Sequence, residues 1–550
     1  MIIFLFHGPP SKISGLASAR MRGHQLRTGA LATATLLLAV ALHAGAAWSA
    51  GLSEQEARGK VIYYEGDSDS GRDITAYVGQ ALVPLPASAM PCVGCHGPDG
   101  LGRPEAGVRP SNITWSHLTK PYGTRSGAGR RRPAYTVETA ILSIAAGVDS
   151  AGNPLDATMP RYEMSPPEMA DLIAYMQRLE HDLDPGLSDT TIRLGTVVPQ
   201  GGPTASLGAA VEGVVKAYFD DINSQGGIYG RRLTLTVRGA PTRDVVLDRV
   251  SALITSNEVF ALIAPVTAGL ESELDDLVEQ HEIPVIGPFA QFPADADSLE
   301  RFTFYLFGGL TVQATALLDY TATALDLPQP RVAVVYPQGG QEQRAARAIL
   351  RYADTSDWPE PLLVDYRPGL MDAAALAARL QAGDAQALVF LGPGSELVPL
   401  AEAGARRTWL PYLLLGGSLA DKALFELPAA FQDRVFLAYP TLPEDHTPAG
   451  RQEFGGFHQR HKLPRQHLSA QIAAYAAVKL LVHGLKTLGR DVSRDKLIKA
   501  LEALHRFDTG LTPPLTYSAN RRIGALGAHI VALDLLNRRF LAEPTWIEPD

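Results

Sequence analysis

Two hydrophobic patterns divide this chain. From Ile192 onward, short β-branched runs recur at Ile192 to Val198, Leu233 to Val237, Phe260 to Ala264, Pro284 to Ile286, Arg331 to Tyr336 and Ala387 to Leu391. Amphipathic stretches such as Leu207 to Ile222 and Leu310 to Ala324 separate them, and a long one runs from Ala470 to Leu488. Strands alternating with helical periods predict parallel sheets covered by helices. Roughly 360 residues of this pattern exceed what one sheet comfortably carries, so two α/β lobes are expected.

Residues 51–183 read differently. Ser53 followed three positions later by Glu56 is a capping box, and it predicts a helix that carries Ala57, Val61 and Ile62 inward. A second box, Ser165 with Glu168, opens a helix with proline in its first turn and Met169, Leu172, Ile173, Met176 and Leu179 on one face. Residues 184–191 read as a linker between this segment and the module at 192–550. Ahead of both, Arg22 and Arg27 precede an apolar run from Leu31 to Leu42 and the small residues Ala44 to Ala47. That is the pattern of a cleaved export signal over residues 1–50, with Met21 as its expected start, the periplasm as the expected destination and an uncleaved membrane anchor as the alternative. No other run approaches the ~18 consecutive apolar residues of a membrane span.

Charge and cysteine usage narrow the chemistry. With 49 basic and 58 acidic residues the net charge is −9, and the two signs are interspersed, which argues against a nucleic-acid partner. The chain has only two cysteines, so no disulfide framework exists and stability rests on core burial. Both fall in Cys92-Val93-Gly94-Cys95-His96. Two thiols at this spacing can add to the two vinyl groups of a porphyrin, and the adjacent imidazole then ligates the iron. The motif therefore predicts one covalently attached haem c, with His96 as proximal ligand. Structural zinc would need two further Cys or His ligands, and a redox CxxC does not require the histidine.

Helices bracketing CxxCH make residues 51–183 resemble a class I cytochrome c, and the resemblance implies a methionine distal ligand from the loop before the last helix, a place that Met159, ahead of Pro160, fits. Met164 is its competitor, with His117 or an open iron position behind it, while Met90 lies too close to the motif and reads as packing. Gly97, Gly100, Gly102 and Pro110 shape the loop after His96, and a proline carbonyl there is a candidate acceptor for the imidazole Nδ1–H. Arg125 and Arg130 to Arg132 form a basic loop that reads as a solvated surface, with docking of a redox partner or approach to the haem propionates as the alternatives. The class I cytochrome c resemblance also implies an all-α domain across 51–183.

Within the second module, Asp221-Ile222-Asn223-Ser224-Gln225-Gly226-Gly227-Ile228-Tyr229-Gly230, the strand-loop Ile263-Ala264-Pro265 and the run Ile283 to Pro288 follow one another in a familiar order. They resemble the type I periplasmic solute-binding proteins of the branched-chain amino acid group. The resemblance implies two Rossmann-like lobes joined by three crossings, expected near Gly308-Gly309, Tyr439-Pro440 and Pro513-Pro514, with a small-molecule ligand between the lobes. Thr267, Phe289, Gln291, Ser395 and Ser418 are the candidate pocket residues. Ala268, Gln291 and Gly417-Ser418 stand where amino-acid binders of the family place hydroxyls and an acid, so a neutral or non-amino-acid ligand is expected.

Together these features predict an electron carrier fused to a ligand-binding module, with a periplasmic dehydrogenase or oxidase as redox partner. The alternative is the substrate-binding component of an ABC transport or sensing system, partnered by its permease, in which the haem is accessory. An enzyme is not expected: His281, His446 and His505 are scattered, and no nucleophile constellation accompanies them.

Overall fold

In the computed structural model, residues 52–549 are described, apart from 69, 103–106, 126–130, 257–258, 294–299 and 542. The expected export signal, Arg130 and the side chain of Arg125 lie outside these residues. The chain divides into two compact units, with the boundary between Leu183 and Asp184.

In the first unit, α1 (Glu54–Glu65) begins at the Ser53 box, where Ser53 Oγ accepts from Glu56 N and Glu56 Oε2 accepts from Ser53 N. The inward face of α1 differs from the expected one. Ala57 is exposed and Val61 half-buried, while Gly59, Ile62 and Tyr63 are buried. Gly59 sits inward because α5 (Pro166–Arg178) crosses there, close enough that a Cβ on residue 59 would stand 2.0 Å from the Asp171 carbonyl oxygen. The five expected core residues are all buried, Met169 to Met176 on α5 and Leu179 just past its end. Between these helices lie α2 (Cys92–His96), α3 (Trp115–Leu118) and α4 (Val137–Ala146).

To these helices the fold adds short antiparallel strands that an all-α expectation omits. Strands β1 (Thr75–Val78), β2 (Val83–Pro86) and β5 (Arg161–Glu163) form one sheet in the order β2-β1-β5, and β3 (Thr124–Arg125) pairs with β4 (Arg131–Arg132). The β1–β2 hairpin turns through Gly79 and Leu82, both at positive φ. Such a two-strand excursion is too short to show as a period in the sequence.

Glu168 fastens the start of α5 to this excursion. Its Oε1 accepts from Ser68 Oγ at 2.6 Å and Ser70 Oγ at 2.5 Å, and its Oε2 accepts from Ser165 N at 2.7 Å. Burial raises the pKa of this carboxyl, but the hydrogen bonds from Ser68, Ser70 and Ser165 outweigh it and hold the value at about 2. A depressed carboxyl stabilises the fold above its unfolded value of about 4.3, and that contribution is lost as pH falls toward 2. Glu168→Gln should therefore destabilise this unit by about 2 kcal/mol at neutral pH and by much less near about pH 3. Urea melts of both proteins at the two pH values, followed by near-ultraviolet circular dichroism, check this; an equal difference at both would show that the carboxylate charge is not involved.

The second unit has two lobes. In lobe one the sheet runs β16-β10-β9-β8-β6-β7 and all its pairings are parallel. Its strands are β6 (Thr191–Pro199), β7 (Arg232–Ala240), β8 (Ala261–Ile263), β9 (Val285–Ile286), β10 (Thr303–Phe307) and β16 (Ile523–Ala525). Helices α6 (Ala205–Ser224), α7 (Val246–Thr255), α8 (Glu271–Gln280), α13 (Pro448–Arg460), α14 (Leu468–Leu488) and α15 (Arg494–Glu502) belong to this lobe. Among the described residues α14 alone is long and apolar enough to cross a membrane, and it is instead a largely buried core helix against α6 and β8 to β10.

Lobe two contains β11 (Val332–Pro337), β12 (Leu362–Tyr366), β13 (Ala387–Phe390), β14 (Tyr412–Gly416) and β15 (Val435–Tyr439), parallel in the order β12-β11-β13-β14-β15. The antiparallel β17 (Ala528–Asp534), with β18 (Arg539–Phe540) and β19 (Thr545–Ile547) on it, closes the edge. Helices α9 (Leu310–Thr323), α10 (Glu342–Thr355), α11 (Ala373–Ala382) and α12 (Gly394–Arg406) cover the sheet.

The chain crosses between lobes at Gly308-Gly309 and again after Tyr439, as expected. The third crossing is at Leu526-Gly527, between β16 and β17, and not at Pro513-Pro514. Beyond the prolines, Tyr517 is buried edge-on to Phe304 and donates to the Tyr305 carbonyl at 2.9 Å. That anchor keeps the segment in lobe one until β16 has joined the sheet.

Candidate functional sites

The sequence Pro91-Cys92-Val93-Gly94-Cys95-His96 forms a single short helix because Pro91, in extended backbone, sets its N-cap, and Gly97 at positive φ ends it. Two tyrosines fasten its ends. Tyr63 on α1 donates to the Gly97 carbonyl, and Tyr162 on β5 donates to the Met90 carbonyl, each at 2.6 Å. Tyr162 is three residues beyond Met159, so the Met159 segment and the CxxCH helix are tied directly to each other. Burial, followed by the nearby Cys92 and Cys95 sulfurs, drives the Tyr162 pKa well upward, which keeps its hydroxyl a donor.

His96 is buried, and its Nδ1 lies 2.9 Å from the Ser111 carbonyl oxygen. A carbonyl only accepts, so Nδ1 carries the proton and Nε2 presents a lone pair. Burial lowers the His96 pKa against the opposing effect of this bond, which favours the neutral ring that a metal requires. The acceptor is Ser111 and not the Pro110 carbonyl of the sequence reading. Gly102 packs against Pro110 O, where a Cβ would come within 2.3 Å, and it is the next carbonyl, that of Ser111, that faces the ring. Burial pushes the unreacted Cys92 thiol up to about 12.

Met159 is half-buried, and Cys92, Met90, Met159 and Met164 all pack against one core cluster. Arg161 donates to the Met159 carbonyl, and Pro160 beside it is buried. His117 is half-buried on α3 with its Nδ1 facing Lys120 Nζ at 3.3 Å. The donor set of two thiols, an oriented neutral imidazole and a thioether, with Cys92 and Met159 on one apolar core, fits a covalently attached haem.

In the second unit, every expected pocket residue lies just beyond the carboxyl end of a parallel strand. Thr267 follows β8 and is buried, and Phe289 and Gln291 follow β9 and are half-buried. A bridge between Val266 and Phe289 brings these three together. In lobe two, Ser395 after β13 and Ser418 after β14 are exposed, and Ser395 N donates to Asp421 Oδ2 at 3.1 Å. Glu271, absent from the sequence reading, organises the corner. It is 1% exposed, and its Oε1 accepts from Gly269 N at 2.9 Å, Gln291 N at 2.6 Å and Phe292 N at 3.3 Å. The lobes meet here too: Gln341 Nε2 donates to the Gly269 carbonyl at 2.8 Å, and Arg344 Nη1 to Ser272 Oγ at 2.7 Å.

The family model for periplasmic binding proteins matches residues 191–532. The chain belongs to that family. A cytochrome c model matches residues 87–180, so a cytochrome c domain precedes the binding module, and such a domain implies a covalently bound haem. A Leu/Ile/Val-binding protein homolog 3 from Brucella melitensis is 24% identical over 60% of this chain and 87% of its own length. Among solved structures, the fatty acid ABC transporter substrate-binding protein of Thermomonospora curvata superposes with a TM-score of 0.52 at 19% identity, covering 67% of this chain and 95% of its own. A leucine-binding protein from Thermotoga maritima gives 0.51 at 15%, covering 65% and 99%. At these identities the structures share the two-lobed fold. Proteins of the binding-protein family bind small molecules, and cytochrome c domains carry electrons; neither is a family of enzymes.

Proposed function

We propose that this is an exported periplasmic electron carrier with one haem c, bound through Cys92 and Cys95 and ligated by His96 and Met159, whose second module binds a small molecule and couples that binding to electron transfer. The observation that carries the haem reading is the His96–Ser111 bond, which leaves Nε2 free beside two thiols on a helix tied by Tyr162 to the Met159 segment. The haem, when bound, supplies a one-electron couple. The protein's part is to orient the imidazole, hold a soft sulfur donor in an apolar core and exclude water. A periplasmic dehydrogenase or oxidase is the partner that suits this chemistry.

Matching relatives named as Leu/Ile/Val-binding proteins favour a second reading, transport or sensing with an ABC permease and an accessory haem. One experiment separates the two. The mature protein is made with cytochrome-maturation functions, its haem is counted after acid-acetone extraction, and its potential is titrated with and without the small molecules it co-purifies with. Coupling is reciprocal: a tenfold difference in ligand affinity between oxidised and reduced forms shifts the potential by about 59 mV. One unextractable haem and such a shift are expected. A ligand with no shift assigns the transport reading, and an extractable haem removes the covalent one.

A further inference from the structure

Buried polar atoms nearly always have partners, and one left without a protein partner is met by a water, an ion or a ligand, or stores strain. Four such atoms lie where the two lobes meet: Thr267 Oγ1, Glu271 Oε2, Gln313 Oε1 and Gln341 Oε1. Thr267 and Glu271 are each 1% exposed and Gln313 is 4% exposed. Hydrogen bonds join their surroundings into one wall. Gln341 donates to Gly269 O; Glu271 Oε1 accepts from Gly269 N and Gln291 N; Gln291 O accepts from Leu310 N at 2.8 Å, on the first turn of α9, which also carries Gln313. Across the wall, a Cβ added at Gly416, at the end of β14, would stand 3.1 Å from Gln313 Oε1.

The four atoms share one chemistry. The Gln341 amide is oriented by its own donation to Gly269, so its unpaired atom is the acceptor oxygen. Three N–H groups occupy Glu271 Oε1, leaving Oε2 with free lone pairs, and a threonine hydroxyl can accept as well as donate. The cations bonded to this corner do not answer Glu271: Arg243 donates to Gly269 O and Arg344 to Ser272 Oγ. We infer that the cleft takes a small ligand by a hydrogen-bond-donating end, an ammonium, amidinium or primary amide, received by Glu271 Oε2, Thr267 Oγ1, Gln313 Oε1 and Gln341 Oε1. Ala268 lacks the hydroxyl that the resemblance places there for a ligand's carboxylate, which favours an amine or amide over an amino acid.

This rests on the reading that the second module binds solutes, and the test keeps the two apart. Thermal shifts of the full haem-loaded chain are measured with two matched sets at millimolar concentration: isoamylamine, isovaleramide, isoamyl alcohol and isovalerate, and benzylamine, benzamide, benzyl alcohol and benzoate. Stabilisation by amines or amides and not by the carboxylates is expected. Glu271→Gln, which keeps the Oε1 acceptor, should weaken that binding by on the order of ten- to a hundredfold, and the isosteric Thr267→Val should weaken it several-fold. A response confined to carboxylates or alcohols, or an amine response unchanged in Glu271→Gln, overturns the inference but leaves solute binding standing. Silence across every class overturns both.

Discussion

Met159→Ala is expected to abolish the long-wavelength sulfur-to-iron charge-transfer band of the oxidised protein and to lower its reduction potential by on the order of 0.1 V. A thioether is a soft donor that favours ferrous iron, so its loss favours ferric. The geometry around Met159 supports its candidacy. It is half-buried on the same core as Cys92, Pro160 beside it is buried, and Tyr162 ties its segment to Met90, two residues before Cys92. Met164 packs on the same core but immediately precedes Ser165, which caps α5. Met164→Ala should therefore keep the band and most of the potential. His117 is the weaker rival because the donor Lys120 Nζ faces its Nδ1 at 3.3 Å, so a neutral ring carries its proton on Nε2 and leaves neither nitrogen as a ligand. Spectra and redox titrations of the two methionine variants decide the matter: a band lost in Met164→Ala and kept in Met159→Ala would move the ligand to Met164.

What could be read in the sequence was what is encoded locally. The CxxCH pentad and the two capping boxes each specify their structure within a few residues, and Ser53, Glu56, Ser165 and Glu168 make the bonds their spacing implies. Alternation of β-branched runs with helical periods likewise gave the two-lobed sheet, since burial on both faces requires it. What could not be read depends on distant parts of the chain. Pro513-Pro514 looks like a crossing, but Tyr517 binds the segment to Phe304 and Tyr305, some two hundred residues away, and the crossing falls at Leu526-Gly527. Glu271 carries no sequence signal that separates it from an ordinary surface acid favoured at a helix start by the helix dipole. Only the fold shows that it is buried, with the backbone of Gln291 and Phe292 laid on it. The imidazole acceptor is Ser111 and not a proline, because which of two neighbouring carbonyls faces His96 depends on the path of the whole loop, which no local pattern records.

Gly59→Ala is expected to destabilise the cytochrome unit by about 3 kcal/mol, although alanine is the better helix former by about 1 kcal/mol. The sign follows from where the added methyl would go. It would stand 2.0 Å from the Asp171 carbonyl oxygen, 2.6 Å from its carbon and 2.8 Å from the Tyr175 Cβ. Two of these atoms are main chain of α5, so no side-chain rotation relieves the clash and the helices must separate. Separation also strains the Arg58–Asp171 pair, whose two bonds of 2.7 and 3.1 Å flank the contact. The exposed Ala57→Gly change one half-turn earlier serves as control, and should show only the propensity cost of about 1 kcal/mol. Urea melts of the three proteins measure both. The effect should also reach the haem site, because α1 carries Tyr63, whose hydroxyl holds the Gly97 carbonyl next to His96. Moving α1 outward loosens that anchor, so Gly59→Ala should broaden the haem absorption spectrum while Ala57→Gly leaves it unchanged. Equal stability of Gly59→Ala and the parent would mean that α1 and α5 do not approach as closely in solution as this contact requires.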